Sequence, residues 1–246
     1  ELSHYDLVIL GDVSPSYLSR ASQEALVRFA TDRAGGVLFV AGSRHRAPQV
    51  FADQPLEPLL PVFLHDASEE ADAWREASAA LTIERRWSLT PEAKALEVVQ
   101  IGLTPEESRN LWPTLPGCFW NAPVKRIKPL ASVLLQGRDP ARPSEAFPLL
   151  VSHPAGWGRV GYLATDETWR WRAGVDDLHF YRFWGALLRD LTRNRFYGRD
   201  RRFRLETGGR RSYEVGETIP LTAQVFDASG QPVRWDAVEV RCPMGE

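Results

Sequence analysis

Gly36-Val37-Leu38-Phe39-Val40-Ala41, running straight into Gly42-Ser43-Arg44-His45, is the stretch on which the fold turns. The apolar run carries no charge and reads as a strand over residues 37 to 41, buried on both faces as in a parallel sheet. Working outward, Tyr5-Asp6-Leu7-Val8-Ile9-Leu10-Gly11-Asp12 is a second continuous apolar run, ending in Gly-Asp. Between the two, Ser22 is placed to cap a helix whose inner side carries Leu26, Val27, Phe29 and Ala30. Gly35-Gly36 supplies the helix stop. The three pieces make a β-α-β unit, for which a right-handed crossover is expected.

The stretch from about 43 to 129 is rich in Pro and acidic residues. Leu56, Leu59, Leu60, Val62 and Phe63 are expected to pack a loop or short helix on the core, and Ala80-Leu81-Thr82-Ile83-Glu84 reads as a strand. Thr104-Pro105-Glu106-Glu107 is a helix start, with Pro at the first helical position and acids in the first turn. Ala131 to Leu135 and Phe147 to Val151 read as strands. Phe147 to Val151 forms a hairpin with Arg159 to Ala164 around the turn Gly156-Trp157-Gly158. Residues 178 to 195 form an amphipathic helix, with Phe180, Trp184, Leu187, Leu188 and Leu191 on one face.

After Gly198 the pattern changes to short alternating strands, Phe203 to Leu205, Tyr213 to Glu217, Leu221 to Asp227 and Val233 to Val240, with a turn at Ser229-Gly230. That spacing suggests the start of an immunoglobulin-like sandwich, too short to complete one. The expected organisation is therefore an α/β domain over 1–198 and a partial β-sandwich segment over 199–246.

A net charge of −2 argues against a nucleic-acid binder that works by neutralising phosphates. Lysine is confined to Lys94, Lys125 and Lys128 while arginine is abundant, which is read as genomic base composition. Cys118 and Cys242 form no C-x-x-C pair, so no structural zinc site is expected; a disulfide between them stays open. His4, His65 and His153 lack ligand spacing, and neither a metal nor a cofactor is assigned. No apolar run reaches the ~18 residues that suggest a membrane span. A start at Glu1 and a stop just after a strand-like run are read as marks of a fragment of a longer protein.

The order of segments resembles the class I glutamine amidotransferase-like superfamily, in a bacterial, membrane-associated branch. The resemblance rests on Tyr5 to Asp12, Gly35 to Val40, Gly158-Arg159-Val160-Gly161-Tyr162-Leu163-Ala164-Thr165-Asp166, Thr168-Trp169-Arg170-Trp171-Arg172 and Phe180-Tyr181-Arg182-Phe183-Trp184. It covers about residues 2 to 197, and the Trp-Arg run is its most specific part. It implies a flavodoxin-like, mostly parallel sheet with helices on both faces, lacking a first strand that would precede Tyr5. It also implies an extracytoplasmic domain of a membrane-anchored envelope protein, with a protein or cell-envelope component as partner.

A working amidotransferase needs a Cys in a tight Gly-flanked elbow and a His and Glu after a later strand. This chain offers Ser43 at the elbow, or Gly42 if the register slips, and Thr165-Asp166-Glu167 where the family shows His-Pro-Glu. Only Glu167 falls where an acid belongs, so the resemblance implies a pseudoenzyme, a scaffold without its reaction.

Three sets of residues remain as site candidates. Ser43 with His45 is a possible nucleophile and base, although residues two apart on a loop seldom meet in that geometry. Asp12, Ser43, Asp166 and Glu167 each follow a strand whose end borders the crevice where open α/β sheets bind ligands. Such acids suit a divalent cation, or they cap turns and pair with arginine. Trp169, Arg170 and Arg172, with Trp171, suit stacking on a sugar or clasping a carboxylate. The competing reading packs the Trp rings inward and pairs the arginines with Asp176 or Asp177. Cys118 reads as a buried, inert thiol. The functional expectation is a binding or scaffolding domain. The alternatives are a hydrolase using Ser43 or the strand-end acids, and a carbohydrate-binding module using 169–172.

Overall fold

The computed structural model describes residues 2–79, 81–139, 142–174, 177–197, 203–206, 216–218, 222–226 and 232–233. Strand β1 (Leu7–Leu10) leads through helix α1 (Arg20–Thr31) to β2 (Gly36–Val40). The N-cap of α1 is Ser19, whose hydroxyl accepts the amide of Ser22. Ser22, expected as the cap, therefore sits in the first turn. The helix ends at Thr31 with Asp32 as C-cap; beyond it Ala34 takes the left-handed conformation, at φ 57°, and Gly35 N donates back to Phe29 O, so the left-handed residue of the stop is an alanine and not a glycine.

Then follow β3 (Val62–Phe63), α2 (Ala67–Ala79), β4 (Arg86–Leu89), α3 (Pro105–Leu111), β5 (Arg126–Ile127), β6 (Ser132–Asp139), β7 (Arg142–Ala155), β8 (Gly158–Leu163), α4 (Arg170–Gly174) and α5 (Asp177–Tyr197). The strand expected at 80–84 is not there. Residues 81–84 form a turn after α2, and the strand is β4, which places Trp87 inward and Arg86 outward. Thr104 caps α3 as expected, accepting Glu107 N, with Pro105 at the first position.

Six strands form one mixed sheet in the order β1-β2-β8-β7-β6-β4. Parallel pairing is confined to β1, β2 and β8. From β8 onward the sheet is antiparallel, because the β7–β8 hairpin and its neighbours β6 and β4 reverse direction at each step. The expected mostly parallel sheet is thus half of the observed one. Val37, Leu38 and Phe39 are all buried, so both faces of β2 are covered, as its uninterrupted apolar run requires.

Helix α5 packs along β8, β2 and β1. Its buried line is Phe183, Ala186, Leu187 and Leu191, while Phe180, Trp184 and Leu188 flank that line half-buried. At Gly36 a Cβ would stand 2.7 Å from Leu191 O, so the glycine sets how closely α5 approaches the sheet. On the antiparallel side the core is aromatic. Trp171 of α4 packs edge-on against Trp87 (5.1 Å), Trp112 (5.7 Å) and Phe183 (5.2 Å). The indole N–H groups of Trp87 and Trp171 both donate to Pro116 O, at 2.9 and 3.1 Å, so two large apolar bodies are buried with their polar atoms satisfied.

Beyond the helices, β9 (Phe203–Glu206), β10 (Thr222–Phe226) and β11 (Pro232–Val233) pair antiparallel in the order β11-β10-β9. The expected strand residues Tyr213 to Val215 and 234–240 lie outside the described residues. No helix among the described residues is long and apolar enough to cross a membrane.

Candidate functional site

Parallel pairing brings the C-terminal ends of β1, β2 and β8 side by side, and with them Asp12, the loop Gly42–Ala47 and Thr165–Glu167. Asp12 is occupied with the loop. Its carboxylate accepts the backbone N–H of Arg44 at 2.7 Å, His45 at 3.0 Å and Ala47 at 3.3 Å. Gly42 N donates to Ala47 O, closing the turn. A Cβ on Gly42 would fall 2.2 Å from the Asp12 Cβ, so the glycine after β2 is needed for this carboxylate to reach in.

Ser43 is exposed, and no hydrogen bond joins its hydroxyl to His45 or to any other described residue. The Ser-His pairing weighed from the sequence is therefore not assembled as a hydrogen-bonded pair. Arg46, in a left-handed conformation at φ 57°, carries its guanidinium to Glu70 (3.2 Å) and over the Trp74 ring (5.8 Å), tying the loop to α2.

Glu167 is also engaged. Its carboxylate accepts the backbone N–H groups of Phe119 and Trp120, and its own N–H donates to Thr165 Oγ1 at 3.2 Å. Ala122 N donates to Ala164 O at 2.7 Å, so the segment 119–122 lies along the end of β8 as a wall of the crevice. Asp166 differs from both acids: its carboxylate takes a hydrogen bond from its own backbone N–H and has no ion-pair partner among the described residues. Partial loss of hydration, and then the charge of Asp12, push its carboxyl up from the ordinary value.

The Trp-Arg run divides. Trp171 is fully buried and Trp169 is 57% exposed, so the two rings do not form one platform. Arg172 pairs with Asp177 at 2.7 Å, which removes it from the candidate binding surface. Arg170 stacks on Phe119 at 4.6 Å and lies 5.7 Å from the Trp169 ring centre, with no ion pair to any described residue. No group of three or more His, Cys, Asp or Glu among the described residues is arranged to hold a metal.

Sequence reasoning missed Phe119 and Asn121, which flank Trp120 in this wall, and Trp74 on α2. Trp74 and Trp120 pack together with ring centres 6.0 Å apart, and neither indole N–H has a partner; the Asn121 carbonyl oxygen is likewise buried and unpaired. The signal for this wall was the run Pro116-Gly117-Cys118-Phe119-Trp120.

That thiol is free and fully buried, with Cys118 backbone bridged to Arg85. Burial first, and then the Glu167 charge, push it from 9.0 up to about 12. Because the folded state holds this proton more tightly than the unfolded one, its contribution to stability is full below pH 9 and declines as pH rises toward 12. In a Cys242→Ser background at pH 8, a thiol reagent is expected to label Cys118 only after denaturant is added. Rapid labelling of the native protein would contradict the burial.

The class defined by these elements is an α/β protein with a mixed six-stranded sheet, parallel across β1, β2 and β8 and antiparallel beyond. No protein-family model and no curated protein matches the chain. Among solved structures it is similar to a cytoplasmic protein from Salmonella typhimurium, at TM-score 0.51 and 16% identity, over 77% of this chain and 73% of that one. A second cytoplasmic protein, from Salmonella typhimurium LT2, aligns at TM-score 0.48 and 18% identity, over 76% of this chain and 72% of that one. A β-galactosidase from Rahnella sp. R3 aligns at TM-score 0.40 and 16% identity, over 76% of this chain and 22% of that one. At such identities the first likeness concerns the fold alone, and the other two are too loose to carry an argument.

Proposed function

We propose that the chain is a flavodoxin-like, glutamine amidotransferase-like scaffold that binds instead of reacting, followed by the beginning of an immunoglobulin-like domain. The observation that carries this reading is the use made of the elbow. Asp12 is held by the loop amides, Glu167 by the amides of the 119–122 wall, and Ser43 has no imidazole to take its proton. A hydroxyl without a base is a weak nucleophile at neutral pH. The thiol of Cys118, at about 12, is protonated there and enclosed. What stays open in the crevice is recognition chemistry: Asp166, Trp169 and Arg170. In this reading the chain belongs to a bacterial envelope protein, outside the cytoplasm, with a protein or an envelope component as partner.

The hydrolase reading, through Ser43 or the strand-end acids, is separable by assay. The purified chain is incubated with glutamine and with p-nitrophenyl acetate, beside Ser43→Ala. Release of ammonia and of nitrophenol is expected to match buffer for both proteins. Turnover that disappears in Ser43→Ala would overturn the binding reading.

A further inference from the structure

Trp169 and Arg170 stand apart from the rest of their run. Trp87, Trp112 and Trp171 are enclosed, whereas Trp169 presents its ring to solvent at 57% exposure. An exposed ring is unremarkable alone; here it borders a guanidinium that is fixed without a counter-charge. Arg170 lies on the face of Phe119 at 4.6 Å and beside Trp169 at 5.7 Å, and its Nε is buried without a hydrogen-bond partner. Stacking on aromatic faces orients a guanidinium and leaves the edge of its fork for hydrogen bonds in the plane.

Its natural counter-ions are both withheld. Glu167 is taken by the amides of Phe119 and Trp120. Asp166, four residues before Arg170 in sequence, makes no ion pair with it. Arg172, by contrast, is neutralised by Asp177 at 2.7 Å. One short segment therefore carries an exposed aromatic face, a carboxylate held only by its own amide and a guanidinium without an ion pair among the described residues.

We infer that Asp166, Trp169 and Arg170 form a subsite for one residue of a neutral saccharide. The inference rests on the binding reading above and names its ligand class. A pyranose has an apolar face to lie on an indole, and hydroxyls that both donate and accept. Donation to the Asp166 carboxylate and acceptance from the Arg170 fork are both charge-assisted, the stronger kind of hydrogen bond. An anionic ligand would meet Asp166, whose carboxyl already feels the charge of Asp12, and a cationic one would meet Arg170.

The test is titration calorimetry of the full chain against malto-, cello-, manno- and chito-oligosaccharides, with oligogalacturonate and free amino acids alongside. One neutral series is expected to bind, with about tenfold or greater weakening in Trp169→Ala and in Arg170→Gln. Leu130→Ala, at another exposed apolar residue, is expected to bind as wild type, and circular dichroism is expected to show all variants folded. Absence of binding to every neutral series overturns the inference. So does binding that survives both substitutions, or preference for the uronate or an amino acid. None of these results touches the hydrolysis assay, so the subsite and the broader binding reading fail separately.

Discussion

Trp171→Ala is expected to lower the free energy of unfolding by ~3–5 kcal/mol, the range for deleting a fully buried large aromatic side chain. The residue is wholly enclosed and touches Trp87, Trp112 and Phe183, which come from β4, the 3-10 turn that ends α3, and α5. Its removal opens a cavity between elements that cannot collapse together, since each is held elsewhere. The indole also donates to Pro116 O at 3.1 Å, a carbonyl shared with Trp87. Trp171→Phe keeps most of the ring contact and loses that bond, so a smaller loss is expected, about 1–3 kcal/mol. Urea denaturation of the two variants is the measurement. A loss below ~1 kcal/mol for the alanine variant, the ordinary size for an unremarkable position, would sink the view that this ring joins the antiparallel half of the sheet to α4 and α5.

Gly42→Ala is the second large effect. The added methyl would stand 2.2 Å from the Asp12 Cβ, 2.4 Å from its Cγ and 2.6 Å from Oδ2. The obstacle is spatial, since Gly42 has no left-handed backbone angle. An overpacking loss of ~1–3 kcal/mol is expected, together with weaker hold on the amides of Arg44, His45 and Ala47. The cause is separable by a double-mutant cycle with Asp12→Gly, which removes the atoms that would clash. In that background Gly42→Ala is expected to cost less, with a coupling energy of roughly 1 kcal/mol or more. Additive effects would show that the two positions do not share this contact.

Both predictions concern residues whose importance the sequence half disclosed. The run Gly36 to Ala41 and its partner Tyr5 to Asp12 were legible as buried strands, because a two-sided covering demands an unbroken apolar sequence. Thr104-Pro105 was legible as a helix start and the 147–164 hairpin by its turn, since capping and turn chemistry are local. Helix α2 was not. Trp74 is its only buried residue, so its acidic surface left little apolar period to read. The start of α1 was misplaced by three residues, because Ser19 and Ser22 are equivalent as caps until the chain has chosen one.

The site divides in the same way. Its members Asp12, Ser43, Asp166 and Glu167 could be named from their places at strand ends, where a parallel sheet must deliver them. Which acid stays open could not. Asp12 and Glu167 are engaged by amides from segments 32 and 48 residues away, and nothing local announces those partners. Trp169 and Trp171 are likewise alike in sequence and opposite in burial, because two residues of helical backbone rotate the side chain by about 200°.

By itself, then, the sequence determined the central strands and the hairpin turn, along with the absence of a cysteine just after β2, since these follow from local pattern and residue identity. Only the tertiary structure decided that β6 and β4 extend the hairpin into an antiparallel half of the sheet, that two of the three strand-end acids are occupied by amides from other segments, and that Asp166, Trp169 and Arg170 are left without an ion pair. Those outcomes depend on contacts between segments far apart along the chain, and the free energy of such contacts is set by the packing of the whole.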